Sequence, residues 1–301
     1  MNTPIALFTY ARVDHTRRTV ESLVCNSEAS DHDLIVFSDA ARTPETQPAV
    51  EEVRHYLATI GGFRSVTVHY RQHNLGLANS IIDGVTQVLA EHDRIIVLED
   101  DLVSSPHFLK YMTEALGKYA DDERVISVHG YVYPVAQVLP EAFFLQGADC
   151  WGWATWRRGW RWFNPDGQAL LDQLKREDLL NAFDLNGAYG YSKMLAAQIK
   201  GGNDSWAVRW HASAFLAGKL TLYPGRSLVH NIGNDHSGTH CGDDMSYYAE
   251  LSSTPIDLSR VEVAPSAVGQ AAFEAFFRNL QGSFYRRLGR GVKKIFSNFV
   301  A

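Results

Sequence analysis

Apolar positions in the first 130 residues come in short runs separated by amphipathic stretches, the alternation produced by an α/β sheet with helices on its faces. Ile5 to Tyr10, Leu34 to Phe37, Ser65 to Tyr70, Arg94 to Leu98 and Arg124 to Val128 read as strands. Between them, Val20, Leu23 and Val24 recur at helical spacing behind Asp14, a candidate cap. Glu45 to Ile60 reads as a helix stopped by Gly61-Gly62, and Leu77, Ile81, Val85, Val88 and Leu89 mark the next one. Ser105-Pro106 pairs a hydroxyl cap with a first-turn proline and opens another helix.

Beyond residue 130 the periodicity weakens. A tryptophan-rich stretch, CWGWATWRRGWRWF, gives way to helical patterns over 169–183, 189–200 and 206–216. Trp153, Trp156 and Trp160 share a helical face if that stretch is helical, which favours packing; a sugar platform is the alternative. The chain reads as one domain over 1–250, with halves at 1–130 and 131–250, a Ser/Pro/Ala-rich linker at 251–270 and a basic amphipathic helix at 271–301. Within 273–300, Phe273, Phe276, Phe277, Leu280 and Phe284 oppose Arg278, Arg286, Arg287, Arg290, Lys293 and Lys294. Such a helix suits an anionic membrane surface, or else docks on the core or on a second subunit of a homodimer.

Composition narrows the class. With 301 residues and 46% hydrophobic content the chain has material for a large core, and a net charge of −6 argues against a nucleic-acid partner. Cys25, Cys150 and Cys241 are widely spaced and show no zinc pattern, which points to a reducing, cytoplasmic compartment. No apolar stretch approaches the ~20 residues of a membrane span, and MNTPIALFTYAR lacks the basic flank and long core of a secretory signal. The expectation is a cytoplasmic protein, soluble or peripheral on the inner face of the membrane.

The chemistry concentrates at Glu99-Asp100-Asp101, directly after the all-apolar strand at 94–98. Open α/β sheets bind ligands outside the carboxyl ends of their strands. Adjacent carboxylates repel unless a cation, donors or water offset them, and a hard divalent ion such as Mn²⁺ or Mg²⁺ meets that need; a solvated pair at a helix start is the bland alternative.

VLEDDLVSSPHFLKY resembles the DxD region of GT-A glycosyltransferases, in the EDD form of the N-acetylglucosaminyltransferase I type. FTYARVDHTRRTVESL, RQHNLGLANSI and YPGRSLVHNIGNDHSGTHC extend the likeness over most of residues 3–245. The resemblance implies a GT-A mixed sheet with helices on both faces, family 2-like, followed here by the C-terminal helical segment. It implies transfer of a sugar from a nucleotide-sugar donor, a UDP-sugar first, to a hydroxyl of a glycan or lipid-linked saccharide in surface polysaccharide assembly.

The same resemblance assigns roles. Tyr10 and Arg12 contact base and diphosphate, Asp39 accepts from a uracil N–H, and Asn74 and Gly76 pack near the base. Glu99 and Asp100 take donor-sugar and ribose hydroxyls, Asp101 ligates the metal, and Gly152-Trp153 form a donor-sugar wall. In many related enzymes a late histidine completes the metal shell, for which His230 is the candidate, whereas in the N-acetylglucosaminyltransferase I type the DxD aspartate is the only direct protein ligand. The glycines of the loop itself suit His236 and His240 to closing over the donor. Asp204 in GGNDSWAVRW is the base of an inverting displacement. Plainer readings stand beside these: Arg12 as a surface pair for Asp14, Asp39 as a turn residue, His230 as a loop histidine, Asp204 as a helix cap, with Asp184 or Asp166 as rival bases. A sugar-nucleotide nucleotidyltransferase shares the sheet and acidic site, but its glycine-rich loop after the first strand is replaced by TYARVDH. A non-catalytic carbohydrate-binding protein would account for the tryptophans and leave the acidic triplet unexplained.

Overall fold

The computed structural model describes residues 3–233, 235 and 245–281. The alternating half forms strand β1 (Ile5–Thr9), helix α1 (Val13–Val24), β2 (Asp33–Ser38), α2 (Gln47–Leu57), β3 (Ser65–Tyr70), α3 (Gly76–Glu91), β4 (Arg94–Glu99), a short β5 (Leu102–Ser104), α4 (Phe108–Lys118) and β6 (Val125–His129). The rest adds β7 (Ala142–Gln146), β8 (Trp153–Trp156), α5 (Arg157–Trp160), α6 (Gly167–Arg176), α7 (Leu180–Phe183), α8 (Tyr191–Ile199), α9 (Trp206–Leu216), β9 (Leu220–Pro224) and β10 (Val229–Asn231). Helix α10 follows over 267–281.

Among the described residues one sheet of eight strands runs in the order β3-β2-β1-β4-β8-β6-β9-β7. The first four are parallel, and β8 lies antiparallel to both β4 and β6, so the sheet is mixed, as expected. β5 and β10 form a separate antiparallel ribbon with His230 opposite Val103.

Side-chain alternation sends successive residues of β1 and β4 into two different cores. Ile5, Leu7, Ile96 and Leu98 pack with Val20 and Leu23 of α1 and Met112 and Leu116 of α4. Ala6, Phe8, Ile95 and Val97 pack with Ile81, Val85 and Leu89 of α3 and Trp210 of α9. A strand covered on both faces has no polar side, which is why 94–98 reads as uninterrupted apolar sequence. Gly84 lets α3 press onto this sheet, because a Cβ there would lie 2.6 Å from the Phe8 ring.

Three expectations are corrected. Asp14 lies within the first turn of α1 and is not its cap; Arg12 precedes that helix, with no side-chain cap bond. The tryptophan stretch is a strand followed by a single helical turn, so Trp153 and Trp156 face opposite cores and do not share a helical face. Residues 251–270 do not hang as a linker: Ile256 and Leu258 are buried in the main core, and the Ser252 and Ser266 amides donate to the Ser227 and Phe144 carbonyls, each at 2.8 Å.

Helix α10 is docked. Phe273 and Phe277 are buried, and Phe273 packs against Val132, Phe143, Leu145 and Tyr223. Residues 282–301, on which the lipid-surface and second-subunit readings rest, lie outside the described residues. No helix among the described residues is long and apolar enough to cross a membrane.

Candidate active site

From β1 the chain winds outward to β2 and β3, then returns to place β4 on the other side of β1. The gap between the carboxyl ends of β1 and β4 is therefore the switch point of the sheet, where a crevice opens. Tyr10 to Arg12 leave β1 there and Glu99 to Asp101 leave β4. The Arg12 guanidinium spans both aspartates, pairing with Asp100 and donating to Asp101 Oδ2 at 2.8 Å. Arg12 is thus committed to the triplet and is not a surface partner for Asp14.

Backbone contacts fix the same residues. The Tyr10 amide donates to Asp100 Oδ2 at 3.4 Å, the Thr19 hydroxyl to the Asp100 carbonyl at 2.8 Å, and the Ile232 amide to the Asp101 carbonyl at 2.8 Å. The chain leaving β10 packs so closely on this corner that a Cβ at Gly233 would lie 2.3 Å from Asp101 Oδ2 and 3.0 Å from Arg12. Only glycine fits there, a requirement the sequence signals only as one glycine among several in its loop.

Three carboxylates face one guanidinium, and the imbalance shows at Glu99 and Asp100. Burial, reinforced by Asp101 and Asp100, pushes Glu99 up to about 8. Burial pushes Asp100 up to about 6 against the pull of Arg12. Burial alone would lower Arg12, but Asp100 and Asp101 override it and hold the guanidinium above its ordinary range. Under-compensated carboxylate oxygens suit a hard divalent cation. Among the described residues no group of three His, Cys, Asp or Glu side chains gathers in a metal-binding arrangement. A cation here would take Asp101 and draw its remaining oxygens from a ligand.

Asp39, Asn74 and Gly76 come together. Asp39 is buried and accepts from the Ala40 amide at 2.9 Å and from the Leu75 and Gly76 amides at 3.0 Å each; Asn74 Nδ2 donates to the Ala40 carbonyl at 2.7 Å. The Leu75 amide also reaches Oδ2 at 3.2 Å, so each carboxylate oxygen has two amide contacts and the first duty of Asp39 is to hold the 74–76 turn. Gly76 supplies that turn with a φ of +73°.

The alternatives for Asp204 separate cleanly. Ser205 is the cap of α9, its hydroxyl accepting from the Val208 amide at 3.2 Å. Asp204 itself is exposed, and among the described residues its carboxylate accepts no hydrogen bond. It overlooks the 74–76 turn, since a Cβ on Gly76 would sit 3.8 Å from Asp204 Oδ2. Both rivals are committed: Asp166 caps α6 through the Ala169 amide at 3.0 Å, and Asp184 holds the start of α8 through the Ser192 amide and hydroxyl, each at 2.6 Å.

One expectation does not survive. Trp153 is 1% exposed and packs against Trp160, Trp206 and Trp210, so it offers no face to a sugar. Gly152 is buried beside it with φ +60°, its carbonyl accepting from the Gly130 amide at 2.7 Å; it shapes the turn into β8. His230 lies opposite Val103, two residues beyond Asp101, edge-on to Tyr248; burial and Arg18 lower its pKa, and its buried Nδ1 has no hydrogen-bond partner among the described residues. His236 and His240 lie outside the described residues.

Sequence reasoning missed Asp149. It accepts from the Cys150 amide at 3.0 Å and from the Tyr133 hydroxyl at 3.3 Å. The adjoining Cys150 thiol is pushed well up by burial and then by Asp149, Glu99 and Asp101, which places this turn beside the triplet. No spacing announces it, because antiparallel pairing of β8 with β4 brings the two together from 50 residues apart.

Comparisons with known proteins bear on this region. No curated protein matches the chain. Among solved structures it is similar to the mannosyltransferase PcManGT from Pyrobaculum calidifontis in complex with GDP-Man and Mn²⁺, at 14% identity and a TM-score of 0.33, over 44% of this chain and 35% of that one. It is also similar to S. aureus TarS, at 16% identity and a TM-score of 0.32, over 49% of this chain and 25% of that one. For TarS 1–349 the identity is 13% and the TM-score 0.34, over 59% of this chain and 49% of that one. The chain thus spans less than half the length of each. Residues 5–140 match the family described as "Glycosyl transferase family 2", and that segment holds Tyr10, Arg12, Asp39, the 74–76 turn and Glu99 to Asp101.

Proposed function

We propose that the chain is a glycosyltransferase that moves a sugar from a nucleoside-diphosphate donor to a hydroxyl of a glycan or lipid-linked saccharide, with inversion. One observation carries the reading: Arg12, Asp100 and Asp101 meet at the switch point between β1 and β4, inside the segment that matches the family. The diphosphate lies against Arg12 and the Tyr10 corner, with the base toward the Asp39–Asn74–Gly76 turn. The family likeness makes Asp39 the carboxylate that a uracil N–H meets, sharing it with the 74–76 amides, so UDP-sugars are the first donors to test. Glu99 and Asp100 take hydroxyls of donor sugar and ribose.

Asp101 is the residue to hold Mn²⁺ or Mg²⁺, which supplies neutralisation of the departing diphosphate when bound. Asp204 receives the acceptor proton as that oxygen attacks the anomeric carbon. The new glycosidic C–O bond forms while the bond to the diphosphate breaks, on opposite faces of the sugar. The exposed, uncommitted carboxylate of Asp204 supports this assignment over Asp166 and Asp184, which are occupied as caps.

Incubation with Mn²⁺, a panel of UDP- and GDP-sugars and a saccharide acceptor tests the proposal. Release of nucleoside diphosphate with an inverted anomeric signal in the proton NMR spectrum is expected. Release of pyrophosphate from a nucleoside triphosphate and a sugar phosphate would instead make the chain a nucleotidyltransferase.

A further inference from the structure

Next to Cys150, whose thiol feels the charge of Glu99 and Asp101, lies a cluster of aromatic rings with one carboxylate, Asp149, bonded into it. Trp151 leans on Tyr131 at 4.7 Å and reaches Tyr247 at 6.1 Å; Tyr133 touches both Tyr131 and Tyr247 and stacks on Phe276 of α10 at 5.1 Å. Tyr189 continues the cluster through Phe277 at 4.5 Å. Trp151, Tyr133, Tyr189, Tyr247 and Phe276 are each only partly buried. Asp149 sits among them, half-buried, with two of its lone-pair sites taken by the Cys150 amide and the Tyr133 hydroxyl. Its charge is felt at Tyr131, Tyr133, Tyr189 and Tyr191, each held above the ordinary tyrosine range by burial first and by Asp149 second or later.

Rings of this kind present flat apolar faces to the C–H side of a pyranose, while a carboxylate with free lone pairs takes its hydroxyls. The Asp149 carboxylate, with no ion-pair partner among the described residues, repels an anionic substituent on that ring, whereas a diphosphate at the neighbouring triplet arrives with its divalent cation.

We propose that Trp151, Tyr133 and Asp149 form the acceptor subsite, and that it accepts uncharged or amino sugars and rejects uronic acids and sugar phosphates at the ring it holds. The subsite rests on the transferase reading, and α10 belongs to it, because Phe276 and Phe277 back the tyrosines.

Saturation-transfer NMR on the full chain, using methyl β-glucoside, methyl β-galactoside, methyl β-N-acetylglucosaminide and methyl β-glucuronide as probes, tests the subsite without turnover. Binding of UDP with Mn²⁺ is measured separately by calorimetry on the same samples. At least one neutral glycoside should bind while the glucuronide does not. Trp151→Ala and Asp149→Asn should each weaken that glycoside by about tenfold or more, Trp151→Phe should restore most of it, and nucleotide affinity should stay within about twofold. Glucuronide binding as tight as the best neutral glycoside, no glycoside binding at all, or Trp151→Ala and Asp149→Asn at wild-type affinity would overturn the subsite. Loss of nucleotide binding in the wild-type chain would instead overturn the transferase reading beneath it.

Discussion

The two sides of the crevice are built from different materials. The donor side consists of parallel strand ends whose positions the sheet fixes, so Tyr10, Arg12, Asp39 and Glu99 to Asp101 converge although they come from three separate strands. The opposite side consists of loops and rings: Asp149 and Trp151 before β8, Tyr133 after β6, Tyr189 before α8 and Phe276 on α10. Hydrogen bonds and charge hold the first side, and ring packing holds the second. The proposed nucleoside-diphosphate site falls on the first, and the proposed subsite for a neutral ring on the second.

The comparison breaks most visibly at Asp204, which stands beside the 74–76 turn. Asp204→Asn should lower transfer by about 10²–10⁴-fold with donor affinity intact, the range removed with a general base. Steady-state kinetics beside calorimetry would show near-normal turnover if the base lies elsewhere.

A structural contrast comes next. Trp153→Ala should cost about 3–5 kcal/mol in urea unfolding, because the indole is enclosed by three other tryptophans. Trp151→Ala should cost clearly less and act on saccharide binding. Equal costs would mean that both tryptophans are core.

On the donor side, Arg12→Met leaves Asp100 and Asp101 facing each other without their cation. A loss of about 2–3 kcal/mol is expected, discounted because the Arg12 side chain is 22% exposed. Added Mn²⁺ should recover part of it, and recovery by Na⁺ at the same ionic strength would argue for screening alone.

The smallest effect is one of pH. Glu99 moves from an ordinary 4.5 to about 8 on folding, through burial first and its acidic neighbours second. The folded state binds that proton more tightly, so the contribution is fully present below 4.5 and is lost as pH rises through about 8. Stability without divalent cation should therefore fall between those limits, and Glu99→Gln should flatten the slope.

Much of the donor side was legible in the sequence because each strand there announces itself by an apolar run and each functional residue follows one directly. The far side was not. β8 is four residues long and buried on both faces, so WATW carries no alternation and its tryptophan spacing reads as a helical face. β7 and β9, AFFLQ and LTLYP, are likewise short and nearly continuously buried, and went unassigned. Residues 251–270 have the composition of a linker, yet Ile256 and Leu258 fill the main core, a contact that composition does not record. At Asp204 the error ran the other way: a helix start was rightly expected, but two polar residues compete for one cap and the serine takes it.

Calorimetric titration of UDP and GDP into wild-type and Asp101→Asn protein, with and without Mn²⁺, tests the central claim most directly. Binding of one diphosphate that strengthens at least tenfold with Mn²⁺, and loses that gain in Asp101→Asn, is the expected result. No binding of either nucleotide, or an undiminished Mn²⁺ gain in Asp101→Asn, would contradict a diphosphate and metal site at Arg12, Asp100 and Asp101.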